Sequence, residues 1–99
     1  MGVQFTKQAQ KDIRKLDYHA KKKALNAIRQ LEFNSEAGHT LEGSLKGCRS
    51  LEFSAPGGAY RAVYVISDDG QAVLVFLVAP HENIYATANR RFAALKTRG

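Results

Sequence analysis

The stretch Tyr60-Arg61-Ala62-Val63-Tyr64-Val65-Ile66, with Asp68-Asp69-Gly70 behind it and the apolar run 72–79 after that, decides the fold. Side chains alternate across a strand, so Tyr60, Ala62, Tyr64 and Ile66 share one face while Arg61, Val63 and Val65 share the other. Asp-Asp-Gly is a hairpin signal, because aspartate and glycine tolerate the backbone angles of a tight turn. Residues 49–53 read as a strand before this hairpin, joined to it by Ser54-Ala55-Pro56-Gly57-Gly58-Ala59. Three strands with short connections predict an antiparallel meander.

Towards the N-terminus, Val3-Gln4-Phe5 is a short strand candidate, and Thr6 can cap a helix running to about Leu16. Ala9, Ile13 and Leu16 fall on one face of that helix. Asp17 is a second cap, ahead of Ala20, Ala24, Ala27, Ile28 and Leu31. Two antiparallel amphipathic helices follow, and they must bury their stripes on one face of the meander. Residues 34–47 lose the pattern, with Gly38, Gly43 and Gly47 among polar residues, and read as a loop held by Leu41 and Leu45. Residues 86–96 carry Ala88, Phe92 and Leu95 at helical spacing. The expectation is a single α+β domain over residues 1–99 in the order β-α-α-β-β-β(-α), with two N-terminal helices packed on an antiparallel sheet.

Ninety-nine residues, 44% of them hydrophobic, can bury a modest core without metal or disulfide staples. No apolar run approaches the roughly 20 residues needed to span a bilayer, so no membrane association is expected. One cysteine, Cys48, leaves no internal disulfide, and a reducing cytoplasm is the default compartment. The formal charge of +6 is uneven: residues 1–31 carry eight Lys/Arg against two acids, 32–69 three against six, and 70–99 four against one. The basic ends suit a polyanion or an acidic protein, although Lys21-Lys22-Lys23, and the tail cations Arg90, Arg91, Lys96 and Arg98, also read as plain solvated faces.

An arginine within an apolar strand is costly to desolvate, so Arg61 needs a buried partner or an anion such as phosphate. Two readings stand open: a phosphate-binding group, or a salt bridge to Glu52 on the preceding strand. His81 follows Pro80 at the end of the apolar run, and histidine suits general acid or base chemistry, though a loop histidine is also a common structural residue. Tyr85 either stacks on a base or orients a phosphate, or it anchors the tail helix. Arginine, histidine and tyrosine at one end of a sheet form a plausible kit for acting on a phosphodiester. His19 and His39 are scattered, and with a single cysteine no zinc-ligand spacing exists, so neither metal nor cofactor is expected. Pro56-Gly57-Gly58 lacks the Lys-Ser/Thr of a phosphate loop, and Cys48 reads as a small core residue.

Taken together, Leu41-Glu42-Gly43, the Tyr-Arg-x-x-Tyr strand at 60–64, the apolar strand 73–78 and His81 through Ile84-Tyr85 resemble the RelE/ParE superfamily of type II toxin-antitoxin toxins, over nearly the whole chain. The short break between the first two helices leans towards the RelE branch. What that branch implies is a ribosome-dependent mRNA endoribonuclease, cleaving by 2′-hydroxyl attack on the adjacent phosphate and silenced by a cognate antitoxin, with ribosome and mRNA as its other partners. On this resemblance Arg61 matches the arginine that stabilises phosphate charge, Tyr85 a tyrosine that orients or activates the nucleophile, and His81 an acid or base. Lys46, Arg49, Arg90 and Arg91 are then the expected RNA contacts, the last two also near the acids of the antitoxin. The chain departs from the pattern where RelE-type enzymes often carry two strand lysines, which correspond to Ser50 and Glu52 here. Glu52 would act as a base or neutralise Arg61. The ParE branch shares the fold and poisons DNA gyrase by binding without catalysis, which is the alternative function and partner. Val63, Val65, Val73, Val75 and Leu77 are expected on the sheet face away from the two helices, partly shielded by Phe92 and Leu95 of the tail and otherwise covered by antitoxin.

Overall fold

Thr6 Oγ1 accepts a hydrogen bond from the Ala9 amide at 3.1 Å and Asp17 Oδ1 one from the Ala20 amide at 2.8 Å, so both sequence caps start helices. In the computed structural model, which describes residues 2–82 and 84–97, the chain runs β1 (Gly2–Phe5), α1 (Lys7–Arg14), α2 (Tyr18–Arg29), β2 (His39–Thr40), β3 (Cys48–Ala55), β4 (Gly58–Ile66), β5 (Ala72–Pro80) and α3 (Ile84–Thr97). Arg98 of the basic tail lies outside the described residues.

The five strands form one sheet in the order β1-β5-β4-β3-β2. The meander β3-β4-β5 is antiparallel as expected, but β1 lies parallel to β5, which makes the sheet mixed rather than antiparallel. Alternating hydrophobicity marks a strand without encoding the direction of its neighbour. Here β1 ends opposite Val75, and the Thr6 amide donates to the Val75 carbonyl at 3.0 Å as the chain turns into α1. The loop 34–47 also contributes a strand, since β2 pairs His39 with Ser50 and Thr40 with Arg49 at the far edge.

The two faces bury different cores. Ala9, Ile13, Ala24, Ile28 and Leu31 pack on Leu51, Ala62, Tyr64, Val73, Val75 and Val78. On the other side Leu45, Cys48, Val63, Phe76 and Leu77 lie under Ile84 and Ala88 of α3, with Phe92 and Leu95 alongside. Val73 and Val75 were expected on this second face and sit on the first. The cause is a bulge: Val63 pairs with Leu77 but Tyr64 with Val75, so Phe76 is an extra residue in β5. Phe76 and Leu77 therefore share a face, and everything before Phe76 has the opposite parity. Phe92 stacks on Phe76 at 6.0 Å between ring centroids.

Beyond Val75, β1 no longer covers the edge of β5. There Asp12 from α1 and Arg91 from α3 close the gap. Asp12 Oδ2 accepts from the Val78 amide at 3.0 Å and from Arg91 Nη1 at 2.7 Å, Oδ1 accepts from Arg91 Nη2 at 3.2 Å, and Arg91 Nη1 also donates to the Phe76 carbonyl at 3.0 Å. The side chains are 12% and 16% exposed, so this is a largely desolvated bidentate pair. A second tether holds the loop. The Tyr64 hydroxyl, fully buried, donates to the Ser35 carbonyl at 2.7 Å and accepts from the Gly38 amide at 3.0 Å. Gly38 has no room for a side chain, because a Cβ there would lie 2.8 Å from the Ser50 carbonyl oxygen.

Two stability outcomes follow. Asp12→Ala strands the Arg91 charge and should lose about 3 kcal/mol in urea unfolding, whereas pairing it with Arg91→Leu should cost less than the two single changes summed. Tyr64→Phe leaves the Gly38 amide and the Ser35 carbonyl without their partner and should lose about 1–3 kcal/mol by the same measurement.

Candidate functional site

Register places Glu52 of β3 directly opposite Arg61 of β4, and Arg61 opposite Ala79 near the end of β5. All three belong to the sheet face that α3 packs against. The ladder runs one step past β5, with the His81 amide donating to the Ala59 carbonyl at 2.9 Å, which brings the imidazole beside Arg61. Tyr85 sits in the first turn of α3 and reaches the same point.

Every nitrogen of the Arg61 guanidinium is engaged. Nε donates to His81 Nδ1 at 2.7 Å, Nη1 donates to the Tyr85 hydroxyl at 2.9 Å, and Nη2 lies 3.4 Å from Glu52 Oε1. The arginine side chain is only 11% exposed, and its charge is matched by the Glu52 carboxylate, the salt-bridge partner read from the sequence. The bond to Nδ1 assigns the His81 tautomer. If Nδ1 accepts, the ring hydrogen is on Nε2. The 3.4 Å approach of Arg61 Nη2 to Nε2 is then a contact between two donors, and the shorter bond governs.

His39, scattered in the sequence, also reaches the cluster. Its Nε2 lies 3.1 Å from Glu52 Oε1. This hydrogen bond, followed by the charges of Arg61, His39 and His81, holds the Glu52 carboxyl below the usual glutamate range, against desolvation acting the other way. Glu52 is consequently ionised and accepts hydrogen bonds. No pattern in the chain marks His39; only the two-residue strand β2 sets it beside Glu52.

Arg61, His81 and Tyr85 thus come together, and the other expected contacts do not join them. Arg49 pairs with Tyr64, so it lies on the opposite face, where Nη1 donates to the Gly38 carbonyl at 2.7 Å and the Glu36 carbonyl at 3.3 Å. Arg91 is held by Asp12. Lys46 and Arg90 are exposed. Ser50, at one of the two positions where lysine was the resembled pattern, is fully buried with a hydroxyl that has no hydrogen-bond partner among the described residues. A cleft of about 650 Å³ lies at Thr6, Leu74, Phe76 and Leu95, and none of the cluster lines it. The cluster is an open row, which suits a polymer backbone better than an enclosed small molecule. Among the described residues no group of three His, Cys, Asp or Glu could hold a metal ion, and no helix is long and apolar enough to cross a membrane.

Comparison with known proteins agrees with this architecture. The family model described as the ParE-like toxin of type II bacterial toxin-antitoxin systems matches residues 3–89, and the chain belongs to that family. Among solved structures it is similar to a free RelE toxin from E. coli, with TM-score 0.71 and 24% identity over 91% of this chain and 95% of that one. It is also similar to the intact E. coli RelBE toxin-antitoxin complex, at TM-score 0.65 and 24% identity, covering 83% and 98% of the two chains. A YoeB/ParE toxin from Agrobacterium tumefaciens gives TM-score 0.67 and 25% identity over 82% of this chain and 99% of that chain. No curated protein matches.

Cys48, buried at the start of β3 opposite Val65, is a core residue rather than a nucleophile. Burial pushes its thiol up to about 11, with Lys96 pulling weakly the other way. At pH 8 a disulfide reagent such as Ellman's should leave it unmodified until denaturant is added.

Proposed function

We propose that this chain is a toxin acting as an endoribonuclease on messenger RNA at the ribosome. The observation that carries the reading is Arg61 held between an ionised Glu52 and the His81 imidazole. That is a base, a charge stabiliser and an acid in one row. Glu52 takes the proton from a 2′-hydroxyl as the 2′-oxygen bonds to the adjacent phosphorus. Arg61 stabilises the charge that builds on the phosphoryl oxygens. The bond from phosphorus to the 5′-oxygen breaks, and His81, in its imidazolium form, gives a ring proton to that leaving oxygen and returns to the neutral ring. The products are a 2′,3′-cyclic phosphate and a 5′-hydroxyl. Tyr85, 49% exposed, offers its ring to a flanking base while its hydroxyl holds Arg61 in place. Lys46 and Arg90 supply phosphate contacts at the margin, whereas Arg49 and Arg91 are spent on the fold.

The setting we propose is cytoplasmic, with a cognate antitoxin as partner. The E. coli relative is in complex with an antitoxin, and a basic chain of +6 suits an acidic one. The ParE-like description of the family supports a second reading, inhibition of DNA gyrase by binding alone.

Induced expression should stop growth and leave transcripts cut within translated codons. Arg61→Ala should lose about 10²–10³-fold in cleavage rate, the scale of one transition-state donor, with an unchanged melting temperature. Intact messenger RNA during growth arrest, together with blocked supercoiling and a DNA-damage response, would instead establish the gyrase reading.

A further inference from the structure

Glu52 Oε1 receives two donors, Arg61 Nη2 at 3.4 Å and His39 Nε2 at 3.1 Å, while Oε2 takes no hydrogen bond among the described residues and the side chain is 40% exposed. The two donors come from opposite sides, one from the central strand β4 and one from the edge strand β2. A glutamate side chain on a strand otherwise turns freely about three torsions, and a single contact to Arg61 longer than an ordinary hydrogen bond would not fix it. His39 is the nearer and better-placed restraint. It is also placed with care: Gly38 before it is locked under Ser50 and tied to the Tyr64 hydroxyl, and Thr40 after it pairs with Arg49. Yet the His39 side chain is 65% exposed, and its one side-chain hydrogen bond among the described residues goes to Glu52. A fixed backbone that delivers an exposed side chain to one carboxylate oxygen of the polar cluster points to a role in that cluster.

We propose that His39 is a positioning residue of this site: its Nε2–H holds Oε1 of Glu52 so that Oε2 is presented, deprotonated, to the nucleophile. This rests on the ribonuclease reading for its consequence but not for its geometry. A carboxylate accepts and does not donate, so Nε2 carries the hydrogen whether the ring is neutral or charged. The bond therefore needs no charge on the ring. The groups facing Glu52 are His39 from β2, Arg61 from β4 and His81 from the turn after β5, and all three favour its ionised form. A base is active when deprotonated, so cleavage falls as pH drops through the Glu52 pKa. Removing the His39 bond removes the foremost cause of depression, and the acid limb of the rate profile must move to higher pH.

The experiment compares the full chain with His39→Ala and His39→Gln, the latter restoring an N–H donor without an imidazole. Two readouts are needed: the pH profile of single-turnover cleavage of ribosome-bound messenger RNA, and the NMR titration of the Glu52 side-chain carboxyl carbon in free protein. With His39→Ala the carboxyl should titrate at higher pH, the acid limb should follow it, and the rate at neutral pH should fall by less than the roughly 10²-fold minimum expected for loss of the base itself. His39→Gln should return both readouts towards the parent, and melting temperatures should be equal in all three. A Glu52 titration unmoved in His39→Ala overturns the proposal, as does an acid limb that stays in place while the carboxyl shifts. If the parent cleaves no RNA, the ribonuclease reading fails by itself, and the carboxyl titration still decides whether His39 controls Glu52.

Discussion

The Asp12–Arg91 pair is the constraint on which the two-sided construction depends. A sheet covered by helices on both faces needs something to register one layer against the other, and apolar contacts slide. Here a carboxylate from α1 and a guanidinium from α3 meet around the edge of β5, each also bonded to the strand between them. The site for this meeting exists because β1 stops opposite Val75 and the bulge at Phe76 turns the next backbone groups outward. The pair therefore does three things at once. It satisfies an exposed strand edge, it fixes the axial position of α3, and it joins the layers.

That axial position is what gives Arg61 its surroundings. Tyr85 stands in the first turn of α3, six residues before Arg91 in the chain, so a helix free to shift by one turn would lift the phenol off the guanidinium. The arginine itself is cheap to keep only in this company. Its charge is met by Glu52, its Nε by His81 and its Nη1 by Tyr85, all from different elements. The cluster is a product of the register of β3 on β4, the length of β5 and the seating of α3 together.

Much of this was readable from the chain, and the unreadable part has definite causes. The caps at Thr6 and Asp17, the helical stripes, the β4 alternation and the convergence of Arg61, His81 and Tyr85 are local patterns, and local patterns report themselves. Parity past a bulge does not, because an uninterrupted apolar run such as 72–79 looks the same with or without an extra residue; hence the misplacement of Val73 and Val75. The direction of β1 depends on where α1 must dock. Arg91 read as a free basic residue since its partner is Asp12, a long way off in sequence, and Arg49 read as an RNA contact because nothing local says that Gly38 will present its carbonyl to it. His39 was legible only as an isolated histidine in a glycine-rich loop.

The Tyr64 hydroxyl gives this protein an unusual dependency between inside and outside. It is buried among the packing of α1 and α2, yet it grips Gly38, and the next residue emerges on the opposite side of the sheet beside Glu52. The edge segment acts as a short lever with its fulcrum at Gly38, where no side chain fits. Looseness in the hydrophobic interior is in this way transmitted to a polar surface that touches none of it. Heating, mild denaturant or a distant core substitution should thus blur the polar row before the chain unfolds, so that the chemistry of this surface reports on the integrity of the far core.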